Sequence, residues 1–279
     1  MSIVLLTLLA GHLLAKPFVF TAIPDEDETR LKARFDKVAA YLEQRLGVEV
    51  QFVPVKSYAA SVTAFANDQV QMAWFGGLSG VQARRLVKGS QAIAQGYEDQ
   101  FFVSFFIVHA STGLQESQDF PKGLAGLTFT FGSKGSTSGR LMPEFHVRQA
   151  FGKSPEEVFR RVGFSGDHSK TLALVQSGAY QAGALNFKVW DNEVKAGHVD
   201  AAKVSIVWRT PTYPDYNWTV RGDVNQAFGM GFTEKLRAAL LGMNDPALLE
   251  AFPRQSFVKA GNDDYAPIEE TARAIGLLE

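Results

Sequence analysis

The sequence predicts two α/β lobes joined by two crossover segments, and three observations carry that prediction. The chain has 279 residues, near the length at which one hydrophobic core stops growing and division into two lobes is expected. Residues 17–75 alternate strand and helix patterns in a βαβαβ rhythm, which implies parallel pairing. Two glycine-rich stretches, Gly76-Gly77-Leu78-Ser79-Gly80 and Gly132-Ser133-Lys134-Gly135-Ser136-Thr137-Ser138-Gly139, each follow an apolar strand and lead into a helix. In open α/β sheets ligands sit outside the carboxyl ends of the strands, so the two turns are expected to face each other across a cleft.

Taken in order, a short apolar strand is expected over 17–23, and the acidic turn 24–29 marks a helix start whose acids favour the positive end of the dipole. Leu31, Phe35, Val38, Leu42 and Leu46 recur at helical spacing until Gly47. A strand over 48–53, a helix over 58–66 and a strand over 70–75 follow. The first glycine turn then opens a helix through Val81, Ala83 and Leu86, and a strand is expected over 91–97. The long apolar run 101–109 reads as a strand buried on both faces or passing between lobes, with the first crossing near Val108 and His109 a surface or hinge residue. The second lobe opens with a strand over 127–131 and a helix towards Phe151, with Pro143 in its tolerant first turn. A short helix capped by Ser154, a strand over 159–164, the polar turn Ser165-Gly166-Asp167-His168-Ser169-Lys170-Thr171 with its helix, and strands over 181–186 and 203–209 complete it. Pro211 and Pro214 punctuate the return to a strand over 216–221, and helices are expected over 233–241, 246–252 and 268–275. The expected lobes are therefore 16–108 with 211–279, and 109–210.

Composition narrows the chemistry. Hydrophobic residues make up 46% and charged residues 20%, enough apolar material for substantial cores. A formal charge of −1 gives no reason to expect nucleic acid or an acidic membrane as partner. The absence of cysteine excludes disulfides, thiolate chemistry and Cys-ligated zinc. Residues 1–15 form an apolar run too short for a membrane span but of the length of a secretory signal core, although no Lys or Arg precedes it and Leu13 stands where a small residue is usual. Export is the expectation, with a buried first strand or helix as the alternative.

The catalytic motifs fail one by one. Gly135-Ser136-Thr137-Ser138-Gly139 puts threonine where a nucleophile elbow needs serine, and Gly139 is followed by Arg140-Leu141 where a P-loop needs Lys-Ser/Thr. His12, His109, His146, His168 and His198 show none of the short spacings of zinc ligands. The acid pairs Glu156-Glu157 and Asp263-Asp264 lie in turns and helix starts, where acids commonly form solvated faces. What remains are turns that donate hydrogen bonds. The Ser136 turn alone reads first as an ordinary helix cap, since Ser and Thr are preferred there, but its backbone N–H groups, helix dipole and hydroxyls could also hold an oxyanion without arginine. Donors without an evident base or nucleophile suit binding better than catalysis.

At this point the chain resembles the periplasmic phosphate/phosphite/phosphonate-binding proteins, the solute receptors of ABC importers with a type II periplasmic-binding-protein fold. The likeness covers residues 18–224 and rests on Lys56-Ser57-Tyr58, on Met72-Ala73-Trp74-Phe75 with the glycine turn after it, on Gly135-Ser136-Thr137-Ser138-Gly139-Arg140, and on Phe164-Ser165-Gly166-Asp167-His168. The resemblance implies that Ser136, Thr137 and Ser138 hold the oxyanion, with Tyr58, His168 and Asp215 in the pocket. It implies delivery to a membrane permease by a monomer that needs no metal or cofactor. The backbone at Gly77 and Leu78 is a further candidate donor. Two departures bear on the ligand. Phe102 stands where relatives carry a second pocket tyrosine and cannot donate, and Lys188 stands where binders of aminoalkyl phosphonates place an acid, which argues against an amine. The stretch Phe20-Thr21-Ala22-Ile23-Pro24-Asp25-Glu26-Asp27 is also similar to the branch named as putative selenate receptors.

Asp215 is the expected discriminator. Selenate and sulfate carry no proton near neutral pH and need only donors, whereas phosphonate, phosphite and phosphate can keep an acidic O–H that needs an acceptor. A carboxylate facing the anion therefore implies a protonated ligand; one facing solvent implies a dianion. Two rival functions stand beside this one: a receptor using the same cleft to signal to a membrane sensor kinase, and an α/β transferase or hydrolase acting on a phosphorylated substrate with His168 as its base.

Overall fold

The computed structural model describes residues 16–278, so the apolar run read as a secretory signal lies outside the described residues. Among the described residues eleven strands form two sheets. The strands are β1 (Phe18–Ala22), β2 (Val50–Phe52), β3 (Met72–Phe75), β4 (Gln91–Gly96), β5 (Ser104–His109), β6 (Thr128–Phe131), β7 (Arg161–Phe164), β8 (Ala182–Asn186), β9 (Val204–Arg209), β10 (Asn217–Val220) and β11 (Phe257–Lys259). The first sheet has the order β11-β4-β10-β3-β1-β2 and the second β7-β6-β8-β5-β9.

The predicted βαβαβ unit forms: β1 pairs in parallel with both β2 and β3. Its connections are α1 (Glu28–Leu46) and α2 (Tyr58–Ala66), capped by the side chains of Asp27 and Ser57. Leu31, Phe35, Val38, Leu42 and Leu46 are the buried face of α1, as their spacing requires, and Gly47 ends the helix in the left-handed conformation at φ 72°. Trp218 of β10 anchors this core, with ring centroids 5.1 Å from Trp74 and 5.8 Å from Phe20. A separate core fills the second lobe around Phe106, Phe129, Phe131 and Val147.

The structure moves the first crossing. β5 pairs antiparallel with β8 from Ser104 to Val108 inside the second sheet, so Val108 lies within that lobe and the chain crosses at 102–103. An apolar run does not reveal which sheet it joins. The crossing is marked instead by a two-way bridge, with Phe102 N–H donating to the Tyr213 carbonyl at 2.9 Å and Tyr213 N–H to the Phe102 carbonyl at 3.0 Å. The return follows β9 at Thr210, near the expected place.

The remaining helices are α3 (Gly77–Leu86), α4 (Met142–Phe151), α5 (Pro155–Val158), α6 (His168–Gln176), α7 (Phe187–Lys195), α8 (Val224–Phe228), α9 (Phe232–Leu241), α10 (Pro246–Ala251) and α11 (Ala266–Ala274). The C-terminal part is not wholly helical: β11 adds an antiparallel edge to β4. Three residues are too few to show a strand period in the sequence.

Candidate functional site

Strand ends place the site. β3 delivers Gly76 and α3, β6 delivers the Ser136 turn, and β1 delivers Asp25, so all three lie where parallel strands terminate. The Ser136 turn begins as a π-turn over Thr137–Leu141 before α4, and the Ser136 hydroxyl accepts the Gly139 N–H at 2.9 Å. The cap reading is thus correct for Ser136. Thr137 and Ser138 project beyond it and are 1% exposed.

The two jaws meet directly. The Leu78 N–H donates to Thr137 Oγ1 at 3.0 Å, across the cleft, and the Gly77 N–H donates to Asp215 Oδ1 at 2.9 Å. The backbone donors expected to serve an anion therefore orient two side chains. A Cβ on Gly76 would lie 3.1 Å from Asp215 Oδ1 and 3.2 Å from Thr137 Oγ1, so glycine permits this approach. On the other side, a Cβ on Gly139 would lie 2.9 Å from His168 Cε1 and 3.0 Å from Ser136 Oγ. Gly135 packs on Tyr58 in the same way, at 3.1 Å. Tyr58, Ser136, Thr137, Ser138, His168 and Asp215 are thereby gathered and all buried.

The chemistry of the cluster follows from what its atoms already do. The Asn186 N–H donates to His168 Nδ1 at 3.3 Å, so Nδ1 is an acceptor and Nε2 carries the hydrogen. Burial lowers the His168 pKa to about 4, against the pull of Asp167 and Glu26, which keeps the ring neutral. Its Nε2, the Tyr58 hydroxyl, Ser138 Oγ and Asp215 Oδ2 have no hydrogen-bond partner among the described residues. Burial holds the Tyr58 pKa well above its usual value, so its hydroxyl remains a donor. Burial also pushes Asp215 up to about 7, opposed by the Gly77 N–H and the Thr137 and Ser138 hydroxyls. Neutral donors thus surround a carboxyl able to hold or accept a proton.

Sequence reasoning misses several supporting groups. It reads Asp25 as one acid of a polar helix-start turn with no catalytic role, yet the residue is only 6% exposed. Its Oδ2 accepts the Tyr216 hydroxyl at 2.7 Å, and that hydroxyl accepts the Asn186 amide at 2.9 Å. Burial raises the Asp25 pKa in spite of Arg34. Its place at the end of β1 is the signal that could have found it. Ser104 donates to the Ser138 carbonyl at 2.7 Å and so takes the Tyr213 hydroxyl hydrogen at 2.6 Å. Phe102 meets the cluster through Tyr216, 5.3 Å between ring centroids, and also packs on Phe187 at 4.8 Å. Lys188 is held by Glu98 at 3.1 Å. A groove of about 630 Å³ lies outside the cluster along the rim, where Lys56 pairs with Glu28 and Lys170 with Asp167.

Comparison with known proteins bears on this arrangement. Residues 20–265 match the family model described as ABC transporter, phosphonate, periplasmic substrate-binding protein. A probable ABC transporter phosphite binding protein, PhnD1 of Prochlorococcus marinus (strain MIT 9301), is 40% identical over 264 residues, covering 92% of this chain and 89% of its own. The structure of PhnD1 from that organism in complex with methylphosphonate superposes with a TM-score of 0.90 over 94% of this chain and 99% of that one. A binding protein component of an ABC phosphonate transporter from Pseudomonas aeruginosa, 20% identical, shares the fold with a TM-score of 0.80 over 91% and 85% of the two chains.

Proposed function

Since this chain belongs to the periplasmic substrate-binding proteins of phosphonate ABC transporters, with the type II fold of that family, we propose that it captures a small phosphorus oxyanion that keeps one proton, such as phosphite or methylphosphonate. Delivery to a membrane permease follows, and no bond is made or broken. The carrying observation is Asp215: buried, bonded through Oδ1 to Gly77, and with Oδ2 unpartnered among the described residues and beside hydroxyl donors. A carboxylate there repels a fully ionised anion in a dry cleft but accepts an O–H from a protonated one.

Each candidate has a role on this reading. The hydroxyls of Ser136, Thr137 and Ser138, the Tyr58 hydroxyl and His168 Nε2–H donate to the ligand's bare oxygens. Asp215 Oδ2 takes the remaining O–H, or gives its own proton to the dianion; either way the complex holds one shared proton. Gly77 and Leu78 fix the geometry of Asp215 and Thr137, and Phe102 backs Tyr216. Export by the apolar run 1–15 and action as a monomer belong to the same proposal. Selenate and sulfate bring no proton and are expected to be rejected, despite the similarity of the first strand to the selenate branch.

Calorimetry of the purified protein against methylphosphonate, phosphite, phosphate, sulfate and selenate tests this directly. Binding of the phosphorus acids with rejection of sulfate and selenate is expected. Preferential binding of sulfate or selenate at neutral pH would overturn the shared-proton reading.

A further inference from the structure

A buried ion pair is bonded to the backbone of Asp215. Asp99 lies in the short turn Tyr97–Phe101 that precedes the first crossover, and it is 0% exposed. Its carboxylate accepts the Gly96 N–H at 2.9 Å and the Arg254 Nε–H at 2.8 Å, while its backbone carbonyl accepts the Asp215 N–H at 2.9 Å. Arg254 comes from the segment before β11, and its guanidinium lies over the rings of Tyr216, Trp74 and Phe102 at 5.3, 5.8 and 6.0 Å. The fit is tight, since a Cβ on Gly96 would come within 2.3 Å of Asp99 Oδ2. One pair thus touches the outgoing crossover through Phe102 and the returning one through Asp215.

Stability does not account well for such a pair, because desolvating two charges offsets most of their attraction. We propose that Asp99 and Arg254 are positioning residues that set how strongly Asp215 holds a proton, and thereby the preference of the site for proton-bearing oxyanions over dianions. The inference rests on the role given to Asp215 above.

The groups around Asp215 give the sign. The Gly77 N–H and the Thr137 and Ser138 hydroxyls favour its ionised form, while burial and the Asp99 charge favour the neutral one. The hydroxyls of Tyr58, Tyr213, Tyr216 and Tyr265 also sense Asp215, and Asp25 acts on Tyr58 and Tyr216. Asp99 itself is affected by Arg254, Glu98 and the Gly96 N–H. Asp99 is thus a like charge beside Asp215, and Arg254, bonded to Asp99, offsets part of it.

The test reads Asp215 without any ligand. Carboxyl carbon shifts of selectively labelled aspartate are followed with pH in the wild type, in Asp99→Asn and in the Asp99→Asn/Arg254→Gln double variant, with Asp215→Asn assigning the signal. Asp99→Asn removes the like charge and leaves the cation, so the Asp215 midpoint should fall by about half to one pH unit, a roughly three- to tenfold change in proton affinity. The double variant should lie between Asp99→Asn and wild type, and still below wild type if the single variant fails to fold. In parallel, the ratio of sulfate to methylphosphonate affinity at neutral pH should fall, furthest in Asp99→Asn and less in the double variant, because a more ionised Asp215 repels the proton-free dianion. An Asp215 midpoint equal to wild type in the variants that fold would overturn the proposal, even where affinity drops uniformly. Failure of methylphosphonate to bind the wild type would instead overturn the ligand reading and leave the proton titration to be judged by itself.

Discussion

At the residue scale the protein turns on two buried groups whose proton affinities move in opposite directions. His168 has its pKa lowered to about 4 by burial, so between pH 4 and 6.5 the unfolded chain binds the extra proton and the folded one does not. Its stabilising share is complete above pH 6.5 and is lost as pH falls towards 4, an effect of about 3 kcal/mol. Asp215, raised to about 7, behaves in reverse: its share is complete below the ordinary carboxyl pKa and is lost as pH rises to 7. Urea midpoints at pH 7 and pH 4.5 should therefore show a smaller loss on acidification in His168→Gln than in wild type; an equal loss would contradict the neutral ring. For binding, affinity should fall about tenfold per pH unit once both Asp215 and the ligand acid are ionised, because the complex then needs a proton from solvent. Asp215→Asn keeps an oxygen for the Gly77 N–H and turns a donor towards the anion. Sulfate should then bind and the alkaline fall in phosphonate affinity should flatten; a variant that still rejects sulfate would show that Asp215 is not the discriminator.

At the scale of elements, the glycine turns matter for contact distance rather than for flexibility. Gly139 sits where Gly132 Cα, Ser136 Oγ and His168 Cε1 converge, and a Cβ would meet the last at 2.9 Å and the first at 3.2 Å. Because one of these neighbours is backbone, the turn itself has to shift. Gly139→Ala should cost about 1–3 kcal/mol of stability and weaken ligand binding more than tenfold, read by thermal unfolding and calorimetry. Unchanged affinity would mean that the Ser136 turn is not built to sub-ångström tolerance. Such turns are legible in a sequence because glycine and hydroxyl residues break the apolar period of the strand before them and mark where the next helix starts. The elements that escape notice are short: β11 has three residues, and α7 has nine, opening after Asn186, whose side chain accepts the Val189 N–H at 2.7 Å.

Over the whole molecule, closure is held by contacts that need no ligand. Arg30 of α1 pairs with Glu193 of α7 at 2.6 Å, and Lys188 pairs with Glu98 at 3.1 Å, each across the two lobes. The His168 N–H also donates to the Asp25 carbonyl at 3.0 Å. Removing one partner of a partly buried pair acts chiefly on dissociation. Glu193→Gln, which touches no candidate ligand contact, should speed ligand release roughly three- to tenfold in stopped-flow tryptophan fluorescence with little change in association. An unaltered release rate would mean that closure depends on the central cluster alone.

The sequence by itself determined the two-lobed α/β architecture and both glycine turns. It also determined the hydroxyl run at Ser136, Thr137 and Ser138, because strand and helix periods and turn chemistry are local properties of neighbouring residues. The resemblance added Tyr58, His168 and Asp215, and the structure brings all three to one cluster. Only the tertiary structure decided that β5 joins the second sheet, since an apolar strand carries no mark of its partner. Only it decided that Asp25 is buried, that Gly77 and Leu78 orient side chains, and that Asp99 and Arg254 stand beside Asp215. These groups are separated by many residues along the chain and meet only in the folded structure, most of them within the first lobe and Leu78 with Thr137 across the cleft. Charge, burial and proton affinity are properties of that meeting, and no single stretch of sequence contains them.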